Sequence, residues 1–112
     1  MADKRTFKRK FLKLYLEVSD LETDQLFGHL VDVTDSGGQV TSEQPIKTDA
    51  TFQLRLTLPA EIMGTKEIDF SATTRWSEKD SELDFYNTGF QFAELSSQNM
   101  EIIKILIEKY CF

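Results

Sequence analysis

Hydrophobic and polar residues alternate with a period of two through most of the first ninety positions, the pattern of strands that turn one face to a core and the other to water. Leu12, Leu14, Leu16 and Val18 alternate with Lys13, Tyr15 and Glu17, and Leu26, Gly28 and Leu30 lead toward Val33 in a second segment. Asp32 to Gly38 reads as a turn, because Asp, Ser and two glycines favour tight backbone geometry and positive φ. Phe52, Leu54, Leu56 and Leu58 form a third strand that ends at Pro59. Ile68, Phe70, Ala72, Thr74 and Trp76 form another after a turn at Gly64. The charged run 77–84 reads as a loop, and Gly89, Phe90 and Phe92 mark the last strand.

After Ala93 the period changes to that of a helix. Met100, Ile103, Leu106, Ile107 and Tyr110 share one helical face, and Ser96 or Ser97 can cap the N-terminus. Glu101 near the start and Lys109 near the end suit the helix dipole. Strands in series, joined by turns rather than helices, predict a mainly β chain: a small antiparallel β-barrel of about six strands, whose closure removes exposed edges. The helix then covers an open end or seam. The expected organisation is a single domain over residues 1–112, with a flexible basic arm at 1–10, the barrel at 11–95 and the helix at 96–112. No repeat, low-complexity tract or linker divides it.

With 112 residues, 40% of them hydrophobic and nine of them Phe, the chain has material for a core, which excludes a wholly disordered protein. No segment approaches the ~20 apolar residues of a membrane span. No apolar stretch with a cleavage site follows the basic start, so the expected location is cytoplasmic, without membrane insertion. A lone Cys111 agrees with a reducing compartment.

The net charge of −6 conceals a division. Lys4, Arg5, Lys8, Arg9, Lys10 and Lys13 stand against Asp3 alone in the first fifteen residues, while the remainder carries 7 basic and 18 acidic residues. A basic arm on an acidic body suits a small anion better than duplex DNA, whose phosphates the body would repel. The plain alternative is a solubilising tail that folds onto the acidic face.

Catalysis has little support. The only histidine, His29, lies in an apolar strand, Cys111 has no cue for thiolate activation, and no spacing of His, Cys or carboxylates matches a metal site. The expectation is therefore a protein that is not an enzyme and has no cofactor. Two short signals are more informative: Arg5-x-x-x-Arg9 in the arm and Asp32-x-Thr34-x-x-Gly37 after the second strand. Guanidinium groups pair with phosphate and fork onto or stack on guanine, while a carboxylate, a hydroxyl and a glycine offer acceptors and room for backbone approach.

These two signals make the chain resemble the PilZ domains, bacterial receptors for cyclic di-GMP. Arg5-Thr6-Phe7-Lys8-Arg9 is similar to that family's Arg-x-x-x-Arg arm, and Asp32-Val33-Thr34-Asp35-Ser36-Gly37 to its Asp or Asn-x-Ser-x-x-Gly motif, with Thr in the serine position. Arg75-Trp76 at a strand end and Gly89-Phe90-Gln91-Phe92 before the helix extend the likeness over nearly the whole chain.

The resemblance implies a non-catalytic receptor. Arg5 and Arg9 would grip phosphate or guanine, Asp32 would accept from the guanine N1 and N2 edge, Thr34 would offer its hydroxyl, and Gly37 would let the backbone come close. Lys4 stands where many members carry a further arginine and cannot form a planar fork, which leaves open one bound ligand or a stacked pair. Trp76 can line the ligand pocket, but its alternation with Thr74 and Ala72 favours the core. Binding would order the arm and so regulate a protein partner in motility or biofilm control. Two other readings remain at this level. One is a PilZ-like interaction module without nucleotide binding, acting in pilus or flagellar control, and the other is a small barrel that binds single-stranded nucleic acid through the arm and exposed aromatics.

Overall fold

The computed structural model describes residues 10–111, with side chains from Tyr15 onward. Lys4, Arg5 and Arg9 of the arm lie outside the described residues, as does Phe112. Six strands, β1 (Lys10–Asp20), β2 (Gln25–Val33), β3 (Gly37–Ser42), β4 (Thr51–Ile62), β5 (Thr65–Lys79) and β6 (Tyr86–Glu94), precede one helix, α1 (Ser97–Tyr110). The strands close into a barrel in the order β1-β2-β3-β6-β5-β4, with every pairing antiparallel. Alternation becomes inside and outside as the sequence predicts. Leu16, Val18, Leu54, Leu56, Leu58, Ile68, Phe70 and Ala72 are buried in one core cluster, while Tyr15 and Glu17 face out.

Five local expectations need correction. Strand β3 begins inside the segment that reads as a turn, since Gly37 and Gly38 already pair with Gln91 and Phe90 of β6. Its sequence, GGQVTS, carries only Val40 as an apolar marker, so it has almost no alternation to detect. Pro59 does not end β4. It sits in the bulged stretch between the pairs Thr57↔Glu67 and Ile62↔Thr65, where the ladder does not require its missing N–H.

The charged run is a loop over 80–84, but its first three residues extend β5. Ser77, Glu78 and Lys79 pair with Thr88, Asn87 and Tyr86. The remaining loop is fastened by the Asp80 carboxylate, which accepts from the N–H groups of Glu82 and Leu83 at 2.9 and 3.0 Å. Those bonds hold the Asp80 carboxyl below its ordinary range.

The helix stripe is rotated by about one residue from the expected one. Ile102, Ile103 and Leu106 are the buried positions, whereas Met100, Ile107 and Tyr110 are half-buried. Helix α1 lies against β1, near a seam where β1 and β4 pair only from Val18↔Leu56 to Asp20↔Leu54. Each buried Ile or Leu contributes roughly 1.5–3 kcal/mol by leaving water, so the helix belongs to the core.

Ser96, the first of the two candidate caps, accepts from Asn99 N at 3.1 Å, and the Asn99 amide donates to Asp69 O of β5 at 3.0 Å. Glu101 falls beyond the first turn and meets Lys104 at 3.7 Å instead of the helix N-terminus, while Lys109 is in the last turn as expected. Replacing Ser96 by alanine is expected to cost about 1 kcal/mol, read as a lower midpoint in urea with an unchanged slope.

Candidate functional site

The β2–β3 connection is built by Thr34. Its N–H donates to Gly37 O at 2.8 Å, and its hydroxyl accepts from Ser36 N and meets Ser36 Oγ, both at 3.1 Å. Ser36 O in turn accepts from Phe92 N at 2.9 Å, which ties the tip to β6. No residue between Asp32 and Gly38 has a positive φ; such values occur at Asp24, Asp49, Met63 and Gly64. The glycines serve close approach instead. A Cβ on Gly37 would collide with the Phe90 carbonyl oxygen, and one on Gly38 would come within 2.6 Å of Asp32 O.

Asp32 is fully buried on β2, opposite Phe11 of β1 and Gln39 of β3, beside a bulge between Leu30 and Asp32. Three strands round the barrel, another bulge, between Thr74 and Trp76, breaks the alternation of β5. That bulge overturns the core expectation for Trp76. The residue is half-buried, pairs with Gly89, and sets its indole so close to the Gly89 backbone that a Cβ there would overlap Nε1 and Cε2. Arg75 beside it is exposed and donates from Nε to Gln91 Oε1 at 2.9 Å.

These elements enclose a cavity of about 320 Å³. Asp32, Thr34, Gly37 and Trp76, all singled out from the sequence, line it together, with Arg75, Gly89, Phe90 and Gln91 completing the wall. The β1–β2 register puts Lys10 opposite Val33, so the chain that carries Arg5 and Arg9 joins the barrel beside this loop. The cavity brings together one carboxylate, one guanidinium, the hydroxyls of Thr34 and Ser36, and an indole. That set can hold a planar base with an N–H edge and an adjacent anion. A larger cavity, about 730 Å³, opens at the opposite ends of β2 and β3 and contains none of the site residues named from the sequence.

Ser36 and Gly89 have no assigned role in the sequence reading. Gly89 was legible only as part of the Gly-Phe-Gln-Phe run, since its function is to leave room for a side chain thirteen residues earlier. Among the described residues, no group of His, Cys, Asp and Glu is arranged to hold a metal ion, and no helix is long and apolar enough to cross a membrane.

Comparison with known proteins gives the fold a lineage. The chain superposes on the Bacillus subtilis inhibitor of motility MotI/DgrA with a TM-score of 0.75 at 14% identity, over 96% of this chain and 51% of that one. The PilZ domain of YcgR from Escherichia coli, solved with c-di-GMP, gives 0.69 at 14% identity over 96% and 92% of the two chains. The K. pneumonia MrkH complex with c-di-GMP gives 0.74 at 14% identity over 96% and 52%. The chain thus spans about half the length of MotI and MrkH. No curated protein sequence matches it. Likeness at this identity is likeness of fold, but the family model described as the PilZ domain matches residues 3–112, and the chain therefore belongs to the PilZ family.

Proposed function

We propose that this domain is a non-catalytic receptor for cyclic di-GMP. The observation that carries the proposal is the convergence of Asp32, Thr34, Arg75 and Trp76 on one cavity beside the point where the basic arm enters β1. In this reading the Asp32 carboxylate accepts from the N1 and N2 edge of a guanine, and the Trp76 indole packs on a base. Arg5 and Arg9 pair with phosphate or with the guanine O6 and N7 edge. Thr34 contributes chiefly by holding the loop, because its hydroxyl already accepts from Ser36 N. Gly37 permits the close approach of β6, and Lys4 adds positive potential.

A volume of about 320 Å³ lies at the small end of the roughly 300–1,000 Å³ usual for ligand sites. A molecule with two bases and two phosphates therefore extends beyond it, and the arm supplies the missing wall. Fixing the arm costs roughly 1–2 kcal/mol per residue ordered, which holds the affinity to a moderate level and makes arm position report occupancy. The ordered arm then creates or hides a surface for a protein partner in motility or biofilm control, and no bond of the ligand is made or broken. The domain acts in the cytoplasm, where a nucleotide messenger is found.

Amide chemical shifts of the labelled chain, followed as cyclic di-GMP is added, test this directly. Changes should concentrate at residues 5–10, 32–38, 75–76 and 89–91. A spectrum that does not move in large excess of the nucleotide would reject the proposal.

A further inference from the structure

The cavity at the opposite end of the barrel lies between the 21–24 turn, the 43–50 loop and Phe85. Its wall is apolar. The Phe27 and Phe52 rings meet at 5.0 Å between centroids, Ile46 packs against the core beside them, and Leu26 stands 56% exposed on the same wall. Apolar surface left in water is unfavourable by about 25 cal/mol per Å², so a cleft of this kind gains from being covered.

The cleft is also built in advance. Thr74, buried on β5, donates from Oγ1 to Lys47 O at 2.7 Å and accepts there from Ala50 N at 3.3 Å. Asp49 N to Thr74 O and Thr74 N to Ala50 O, at 2.8 and 2.9 Å, add a short backbone ladder. On the other wall the Asp20 carboxylate accepts from Glu22 N at 2.8 Å and steadies the turn.

Charge identifies the occupant. The 21–24 turn carries Glu22 and Asp24, the 43–50 loop Glu43 and Asp49, and the 80–85 loop Asp80, Glu82 and Asp84. Asp84 meets Lys79 at 3.7 Å, Asp80 holds backbone N–H groups and Asp24 acts on Arg55. That leaves Glu22, Glu43, Asp49 and Glu82 against the one cation of the three connections, Lys47, which lines the cleft with Glu43. An apolar floor within an acidic rim repels nucleotides, nucleic acid, anionic lipid and a second copy presenting the same end, and it attracts a cationic segment with an apolar face.

We infer that this end of the barrel is a docking surface for a basic amphipathic helix of a partner protein. Its apolar side chains enter the cleft among Leu26, Phe27 and Phe52, and its lysines or arginines meet Glu22, Glu43 and Glu82. The surface uses none of the residues assigned to the nucleotide, so either assignment can fail without the other.

The test uses the full chain, isotope-labelled, and three fourteen-residue peptides. One places leucines at helical spacing on a lysine background, one scrambles that composition, and one replaces lysine by glutamate. The first peptide should shift residues 20–29, 41–52 and 80–86. Leu26→Asp, and separately the pair Glu22→Lys and Glu43→Lys, should weaken it about tenfold or more while leaving the thermal transition in place. The charge-reversed pair should in addition favour the glutamate peptide.

Absence of shifts, equal shifts with the scrambled peptide, or indifference to both variants would overturn the assignment. Self-association of the chain in sedimentation, relieved by Leu26→Asp, would overturn it too, by giving the cleft to a second copy.

Discussion

Alanine in place of Arg9 is expected to weaken cyclic di-GMP binding by roughly 10- to 150-fold in titration calorimetry, the equivalent of about 1.5–3 kcal/mol for a charge-assisted hydrogen bond. The size follows from how few positive charges the cavity has. Of the described residues that line it, Arg75 alone is cationic, and its Nε is already held by Gln91. A nucleotide with two phosphates therefore depends on the arm for neutralisation. Arg9→Lys separates charge from shape, because lysine keeps the charge but cannot make the planar fork, and it should recover only part of the loss. Arg5→Ala should fall in the same range as Arg9→Ala. Tight binding that survives Arg9→Ala would remove the arm from the site.

The second large effect concerns the fold under the site. Gly37→Ala is expected to lower stability by about 3 kcal/mol, the upper end of the usual cost of overpacking, and the melting temperature by roughly 12–20 °C. The new Cβ would meet the Phe90 carbonyl, a backbone group that no rotamer change can move aside. Relief requires β3 and β6 to separate along a ladder that runs from Gly37↔Gln91 to Ser42↔Tyr86. Gly64→Ala is the informative control. Nothing lies within 4 Å of a Cβ there, but φ is +79°, so only local strain of about 1–2 kcal/mol is expected. Calorimetric melts of both variants decide the matter, and a Gly37→Ala transition at the wild-type temperature would show that the strand pair yields easily.

Most of the barrel was legible because alternation is a local property. Leu54, Leu56, Ile68 and Phe70 announce their strands without reference to anything distant, and each is buried as its position demands. Legibility failed wherever side chains gave no signal or pairing overrode one. β3 begins with two glycines, so its only apolar mark is Val40. Pro59 lies inside β4 because the bulge beside it removes the need for a ladder N–H. In β5 a bulge after Thr74 shifts the phase, and a residue whose alternation favoured the core is delivered to the cavity wall as Trp76. The helix stripe slipped by one residue because the choice between Ile102 and Ile107 depends on where α1 rests on β1.

For the candidate site, the residue types were readable and their company was not. The carboxylate, the hydroxyl and the glycine of the Asp32 loop name a chemistry on sight, since few side chains can accept from a guanine edge or allow backbone to pass so closely. By itself the sequence determined a chain of alternating strands closed by an amphipathic helix, a basic leader on an acidic body, and motifs fit for the base and the phosphate of a nucleotide. Only the tertiary structure decided that residues 32–38 meet 75–76 and 89–91, and that an apolar cleft opens at the far ends of β2 and β3. The physical reason is that the period of a strand is set by its own backbone, whereas register, bulges and closure are settled between strands distant in sequence.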